Sequence, residues 1–222
     1  MIDFPLRAAL FDLDGVIFDT EAQYSIFWGG VCREYHPEQP GLENRIKGQT
    51  LTQIMDAHFS ANKEMETSII ERLDQYEANM DYVYVDGFPS FVKWLRANGI
   101  ATAVVTSSNI SKMECVYRKH PEFKSMIDIV LTAESFEKSK PAPDCYLKAA
   151  ECLGVENTKC MVFEDSLNGL HSGLSAGMAV VGLATTNPSD LISPLCDIVI
   201  KDFTLFDETL CRKAYELFKK RS

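Results

Sequence analysis

The chain has 222 residues, of which 46% are hydrophobic and 24% charged, and its net charge is −10 at pH 7. This length and composition predict a packed protein rather than a disordered one. The negative charge argues against a nucleic-acid partner, and it means that an anionic substrate would need a local cation.

The first predicted element is a buried strand over residues 8–11, which leads into Asp12, Asp14 and Gly15. A short apolar run that ends at a glycine is typical of a buried strand followed by a sharp turn. Carboxylates at that point are unfavourable unless a cation, hydrogen bonds or chemistry stabilises them. Ligands of open α/β sheets bind outside the carboxyl ends of the strands, so this stretch is the first candidate for a functional site.

Residues 16–85 have a helical pattern with no convincing strand. Helices are predicted over 22–35, 50–59 and 64–80. Asp19 or Thr20 is expected to cap the first of them. We therefore predict a helical cap domain over residues 16–85, inserted after the first strand.

From residue 86 onward, predicted strands alternate with predicted helices, which is typical of a parallel sheet covered by helices on both faces. The strands are predicted over residues 100–106, 127–132, 159–163, 179–183 and 197–200. The expected fold is therefore α/β, with a three-layer Rossmann-like parallel sheet. Its core domain would be discontinuous, formed by residues 1–15 and 86–222.

Polar residues follow several of these strands, and the ends of parallel strands share one edge of the sheet. Thr106 and Ser107 end the second strand, Glu164 and Asp165 end the fourth, and Lys140 precedes a helix. A carboxylate cluster of this kind predicts a hard cation such as Mg²⁺. A lysine and hydroxyls beside that cation predict a phosphate site. An aspartate there can form an aspartyl-phosphate, and a second one can exchange protons with the leaving alcohol and water.

Four short motifs appear in order, each at a predicted strand end or helix start. They are Phe11–Val16, Val104–Ser108, Lys140–Asp144 and Val162–Ser166. With these motifs the sequence resembles the haloacid dehalogenase (HAD) superfamily, in the branch with a helical cap after the first strand. The resemblance extends over nearly the whole chain.

The resemblance implies roles for the motif residues. It implies that Asp12 is the nucleophile and Asp14 the general acid/base. It implies that phosphate is bound by Thr106, Ser107, Ser108 and Lys140. It implies that Mg²⁺ is bound by Asp12, the backbone carbonyl of Asp14, Glu164 and Asp165. Because the dehalogenases of this superfamily lack the second aspartate, Asp14 points to phosphate chemistry.

Within the superfamily, the sequence most resembles β-phosphoglucomutase and related sugar phosphatases. Tyr24 stands where the mutase pattern has a histidine, and Leu51 where it has the arginine that binds the second phosphate. Both departures favour simple hydrolysis. Gln49 and Thr50, on the predicted cap loop, become candidate substrate-binding residues.

We therefore expect a Mg²⁺-dependent phosphatase of small, sugar-like phosphate monoesters that forms an aspartyl-phosphate. A phosphosugar mutase remains an alternative, with Lys47 or Lys63 as a substitute phosphate ligand. A non-catalytic protein that binds phosphorylated metabolites is a third possibility, although binding alone needs no proton donor such as Asp14.

Localisation and partners are predicted from patterns that the sequence lacks. Residues 1–5 show no signal-peptide pattern, and no apolar run approaches the roughly 20 residues of a membrane span. The seven cysteines are scattered and form no C-x-x-C pair, which favours reduced cysteines in the cytoplasm. No heptad repeat demands a dimer, so we expect a monomer whose partner is a small phosphorylated metabolite, with no membrane partner.

Overall fold

A computed structural model describes residues 6–60 and 62–221 of the chain. Six parallel strands form one sheet in the order β3-β2-β1-β4-β5-β6. The strands are β1 (Ala8–Phe11), β2 (Ala101–Val105), β3 (Ile129–Leu131), β4 (Cys160–Glu164), β5 (Ala179–Leu183) and β6 (Ile198–Ile200). The predicted α/β class with a Rossmann-like parallel sheet is confirmed.

Helices account for most of the remaining described chain. They are α1 (Glu21–Tyr35), α2 (Leu42–Arg45), α3 (Leu51–Ile54), α4 (Lys63–Asn79), α5 (Phe88–Ala97), α6 (Ile110–Lys119), α7 (Phe123–Met126), α8 (Asp144–Leu153), α9 (Leu167–Ser175), α10 (Ser189–Ile192) and α11 (Glu208–Arg221). Within residues 6–60 and 62–221, no helix is both long and apolar enough to cross a membrane.

Strand β1 lies inside the sheet, and its four residues are fully buried. Successive side chains of a strand point to opposite faces. Ala9 and Phe11 pack in an apolar cluster with residues of α5, α6 and α11. Ala8 and Leu10 pack in a second cluster with residues of α8 and α9. The sheet is thus the middle of three layers, because each of its faces is buried against helices.

A third apolar cluster is formed by α1, α4 and the segment between them, and it contains Phe27, Trp28, Phe59 and Leu73. Residues 16–18 and 80–85 belong elsewhere, because their buried side chains join the cluster on the sheet that contains Phe11. The domain boundaries at 16 and 85 stay a prediction. From these contacts we propose a cap that is shorter than residues 16–85. Residues 16–18 and 80–85 would then be connecting segments that pack on the core.

The helix predicted over 50–59 has two parts. An α-helical turn, α3, continues as a π-helix over Met55–Phe59. Thr50 begins it with a capping box, in which its hydroxyl accepts the Gln53 backbone N–H and the Gln53 side chain accepts the Thr50 backbone N–H. The cap satisfies donors that would otherwise lack partners at the start of the helix.

Candidate active site

The candidate site lies where β1 and β4 are neighbours in the sheet. The strand that follows β1 in the sequence, β2, lies on one side of it, and β4 lies on the other side. The direction in which the sheet is built therefore reverses between β1 and β4. Such a point leaves a crevice at the carboxyl ends of the strands. Asp12 follows β1 and Asp165 follows β4, so both carboxylates reach this crevice. The strand edge therefore positions the two acids although they are far apart in sequence.

The Asp12 carboxylate is held by a buried lysine. Lys140 Nζ donates to Asp12 Oδ1 at 2.5 Å, to Glu164 Oε1 at 2.6 Å and to the Val105 carbonyl at 3.0 Å. Desolvation by burial raises the pKa of Asp12 to about 7, although Lys140 opposes that change. Burial alone would lower the pKa of Lys140, but the two carboxylates raise it above its usual value. Lys140 therefore stays charged and faces the candidate nucleophile.

Glu164 is fully buried, and both of its carboxylate oxygens accept hydrogen bonds. Besides Lys140, the Tyr146 hydroxyl donates to Oε1 at 2.8 Å. The backbone N–H groups of Asp165 and Ser166 donate to Oε2 at 3.1 and 3.2 Å. A buried charge needs such partners. Glu164 thus fixes the positions of Lys140 and the start of α9. Because its oxygens already accept these hydrogen bonds, it is less available as a cation ligand than Asp12 and Asp165 are.

Oxygen atoms of Asp12, Glu164 and Asp165 lie within 4.8 Å of one another. Desolvation and the nearby carboxylates, led by Glu21, raise the pKa of Asp165 well above its usual value. Closely spaced buried carboxylates are stabilised by a cation, and hard oxygen donors suit Mg²⁺. These residues therefore fit the expected metal, with Asp12 and Asp165 as the principal side-chain donors.

Gly15 allows this close arrangement. Its φ of +73° is a conformation that favours glycine, and a Cβ atom there would overlap the Asp165 carboxylate. Asp165 also accepts hydrogen bonds from the Thr186 hydroxyl and, at its backbone carbonyl, from Asn187 Nδ2 at 2.9 Å. Nothing in the sequence marks Thr186 or Asn187 as site residues, because they lie on a loop after β5 with no motif of their own.

The Asp14 carboxylate has partners of a different kind. Thr20 Oγ1 donates to Asp14 Oδ1 at 2.5 Å, and Ser108 Oγ donates to Asp14 Oδ2 at 3.1 Å. Lys112 Nζ also binds Oδ2 as an ion pair, and this lysine is only 1% exposed. Thr20 does occupy the position before α1, but its side chain does not cap the helix. The prediction that Asp19 or Thr20 caps this helix is wrong, because Thr20 holds the capping position and its hydroxyl binds Asp14 instead.

The residues predicted to bind phosphate lie together, but not all face the same way. Thr106, Ser107 and Ser108 line a cleft between the cap helices and the sheet edge, whose volume is about 850 Å³ including its open mouth. The Ser107 hydroxyl donates to the Gly48 carbonyl of the cap loop at 3.3 Å. Lys140 does not line this cleft among the described residues; it lies behind Asp12.

The two predicted cap residues have different surroundings. Gln49 lines the cleft, and its side chain donates to the Arg45 carbonyl at 3.2 Å. Thr50 is buried in its capping box and is not among the described residues that line the cleft. The structure therefore brings Gln49 to the site and does not bring Thr50 there, because helix capping uses the Thr50 hydroxyl.

Tyr24 and two residues that sequence reasoning missed form one network at the cleft. Tyr24 donates to Glu77 Oε1 at 2.7 Å, and Lys112 Nζ lies 4.5 Å from the centre of the Tyr24 ring. A signal for Glu77 was present, because it follows Ile69 and Leu73 at spacings of four on the buried face of α4. An acid within an apolar stripe is unusual and points to a specific role.

Comparisons with known proteins agree with the motifs. A family model described as haloacid dehalogenase-like hydrolase matches residues 9–183. Hexitol phosphatase A of Escherichia coli (strain K12) is 31% identical over 191 residues, which cover 83% of this chain and 85% of that protein. Validoxylamine A 7'-phosphate phosphatase of Streptomyces hygroscopicus subsp. limoneus is 28% identical over 204 residues, covering 89% and 94%. A crystal structure of a HAD hydrolase, family IA, variant 3, from Entamoeba histolytica HM-1:IMSS has a TM-score of 0.81 at 24% identity, over 96% of this chain and 100% of that chain.

Proposed function

Because this chain belongs to the haloacid dehalogenase-like hydrolase family, we propose that it is a Mg²⁺-dependent phosphatase of small, sugar-like phosphate monoesters. The observation that carries the proposal is the pair of aspartates with separate partners. Asp12 binds Lys140 beside the candidate metal ligands, whereas Asp14 binds two hydroxyls and Lys112. Two carboxylates in different surroundings can take different roles, one as nucleophile and one as proton carrier.

In the proposed reaction, Asp12 attacks the phosphorus atom and the P–O bond to the alcohol breaks. Asp14 donates its proton to the leaving oxygen, and an aspartyl-phosphate forms on Asp12. Asp14 then takes a proton from water as the water attacks that phosphorus, which releases inorganic phosphate and restores Asp12. Mg²⁺, when held by Asp12 and Asp165, supplies positive charge that neutralises phosphoryl oxygens. Lys140 holds Asp12 in place for the attack.

The test is phosphate release from a panel of hexose and pentose phosphates, hexitol phosphates, nucleotides, phosphoglycolate and pyrophosphate. Each substrate is measured in Mg²⁺ and in EDTA. We expect Mg²⁺-dependent release that is fastest for sugar-like monoesters. Release from no member of the panel, or equal release in EDTA, would contradict the proposal.

The mutase alternative requires a ligand for a second phosphate in the cap. Leu51 lines the cleft. Among the described residues one lysine, Lys47, lines it as well, and this lysine pairs with Glu21 Oε2 at 3.4 Å. Both observations support hydrolysis over phosphate return. The alternative is tested with a hexose 1-phosphate in the presence and absence of a bisphosphate activator. Isomerisation that depends on the bisphosphate would favour the mutase.

Metal binding is expected to become stronger as the pH rises through 7. Burial raises the pKa of Asp12 to about 7 and that of Asp165 well above its usual value, so binding of Mg²⁺ must displace protons. A ligand that binds only the folded state raises the melting temperature. We therefore expect Mg²⁺ to raise the Tm more at pH 8 than at pH 6, measured against EDTA by calorimetry. In Asp12→Asn the difference between the Mg²⁺-induced Tm increases at the two pH values should shrink. A Mg²⁺-induced Tm increase that is equal at pH 6 and pH 8 in the wild type would contradict the prediction.

A further inference from the structure

Carboxylates outnumber cations on the cleft surface. Within residues 6–60 and 62–221, six acids and a single lysine line it: Asp12, Asp14, Glu21, Glu43, Glu77 and Asp165, and Lys47. Asp12 and Asp165 belong to the end where the metal and the phosphoryl group would bind. Asp14 is the proposed proton carrier at that end. Glu21, Glu43 and Glu77 line the rest of the cleft, where the remainder of the substrate would lie.

Each lysine at this site is already paired with a carboxylate. Lys47 pairs with Glu21, Lys112 with Asp14, and Lys140 with Asp12 and Glu164. No arginine lines the cleft among the described residues. A second anionic group on the substrate would therefore find no unpaired cation there, and it would meet carboxylates instead.

Two of the acids still have free acceptor capacity. Glu77 is only 5% exposed, and its Oε1 accepts the Tyr24 hydroxyl at 2.7 Å. Its other oxygen has no hydrogen bond among the described residues, and neither does the side chain of Glu43, which also lacks an ion pair there. Both carboxylates reach the cleft surface, and Glu43 is only half-buried. A ligand that brings donors would therefore gain hydrogen bonds at this face.

We propose that the leaving group is an alcohol without negative charge, whose hydroxyl or amino groups donate to Glu43 and Glu77. The substrate class is thus a phosphorylated polyol, with an amino-bearing polyol preferred because an ammonium group adds charge attraction. Monoesters that carry a carboxylate or a second phosphate are disfavoured by like charge. This inference rests on the proposed phosphatase function and specifies its substrate.

Two matched pairs of substrates test the charge preference in the Mg²⁺-loaded enzyme. Sorbitol 6-phosphate and 6-phosphogluconate are both open-chain and differ in a carboxylate. Glucose 6-phosphate and glucosamine 6-phosphate share a ring and differ in an amino group. We expect kcat/KM for 6-phosphogluconate to be lower than for sorbitol 6-phosphate by roughly tenfold or more, and glucosamine 6-phosphate to exceed glucose 6-phosphate severalfold.

The double variant Glu43→Gln, Glu77→Gln keeps the shape and an acceptor at each position but removes both charges. We expect it to bring the kcat/KM values within each pair to within about threefold of each other. Glu71→Gln, an exposed position on the same helix as Glu77, is the control and should leave both ratios unchanged. Because each ratio is taken within one enzyme preparation, partial misfolding does not change it.

The outcomes separate this inference from the function on which it rests. Hydrolysis of the four substrates without preference against 6-phosphogluconate, or ratios that survive in the double variant, would overturn the inference and leave the phosphatase intact. Preference for glucose 6-phosphate over glucosamine 6-phosphate would overturn the role of the amino group. Hydrolysis of none of the four would contradict the phosphatase itself and the inference with it.

Discussion

Asp12→Asn is expected to reduce turnover of the best phosphate monoester by roughly a thousandfold or more. The amide has the same shape as the carboxylate, but it has no anionic oxygen to form a bond to phosphorus. Lys140 would lose one carboxylate partner and keep Glu164. The measurement is kcat in saturating Mg²⁺, with the melting temperature recorded in parallel to show that the variant folds.

Asp190→Asn is the matched control, because it is the same substitution at an exposed position on α10. It should retain wild-type turnover. Substantial turnover in Asp12→Asn would contradict covalent catalysis by this residue. If the wild type itself binds phosphorylated metabolites tightly and Asp12→Asn does so equally, with no turnover in either, the binding-protein alternative would be favoured instead.

The parts of the site that could be predicted from the sequence are those fixed by strand ends. Asp12 and Asp165 each follow an apolar run, and parallel strands bring such ends to one edge of the sheet. The motif predicts Lys140 as a phosphate ligand at this edge, but nothing in the sequence indicates its position behind Asp12 or its contact with Glu164. The fold followed from the same alternation of strands and helices, since the pattern is local and repeats along the chain.

The contacts of Lys112 and Glu77 depend on how the cap sits against the sheet edge, and no local pattern encodes that. Glu77 lies on α4, whereas Lys112 lies on α6. Both side chains contact Tyr24, which donates a hydrogen bond to Glu77 and has Lys112 Nζ over its ring. Thr50 shows the opposite case. Its capping box with Gln53 was visible in the sequence as a threonine followed three residues later by a glutamine, and that local role is the one the structure supports.

The ion pair of Lys112 with Asp14 suggests how the proton carrier is held in position. Three donors fix the Asp14 carboxylate: the Thr20 hydroxyl, the Ser108 hydroxyl and the Lys112 ammonium group. Burial of a lysine at 1% exposure is unfavourable unless a carboxylate pairs with it. Since Lys112 lies outside the cleft surface among the described residues, we expect it to act through Asp14 rather than on the substrate.

Lys112→Met should therefore lower kcat for an alkyl phosphate such as sorbitol 6-phosphate by about a hundredfold, which is typical for loss of general acid catalysis. The loss in the phosphorylation step should be much smaller with p-nitrophenyl phosphate, because p-nitrophenolate leaves without needing a proton. A rapid-mixing experiment would then show a burst of p-nitrophenolate, because the aspartyl-phosphate on Asp12 forms quickly and is hydrolysed slowly. Lys213→Met, at an exposed position on α11, should behave like the wild type. Equal losses with both substrates and no burst would mean that Lys112 supports the fold of the site and not proton transfer by Asp14.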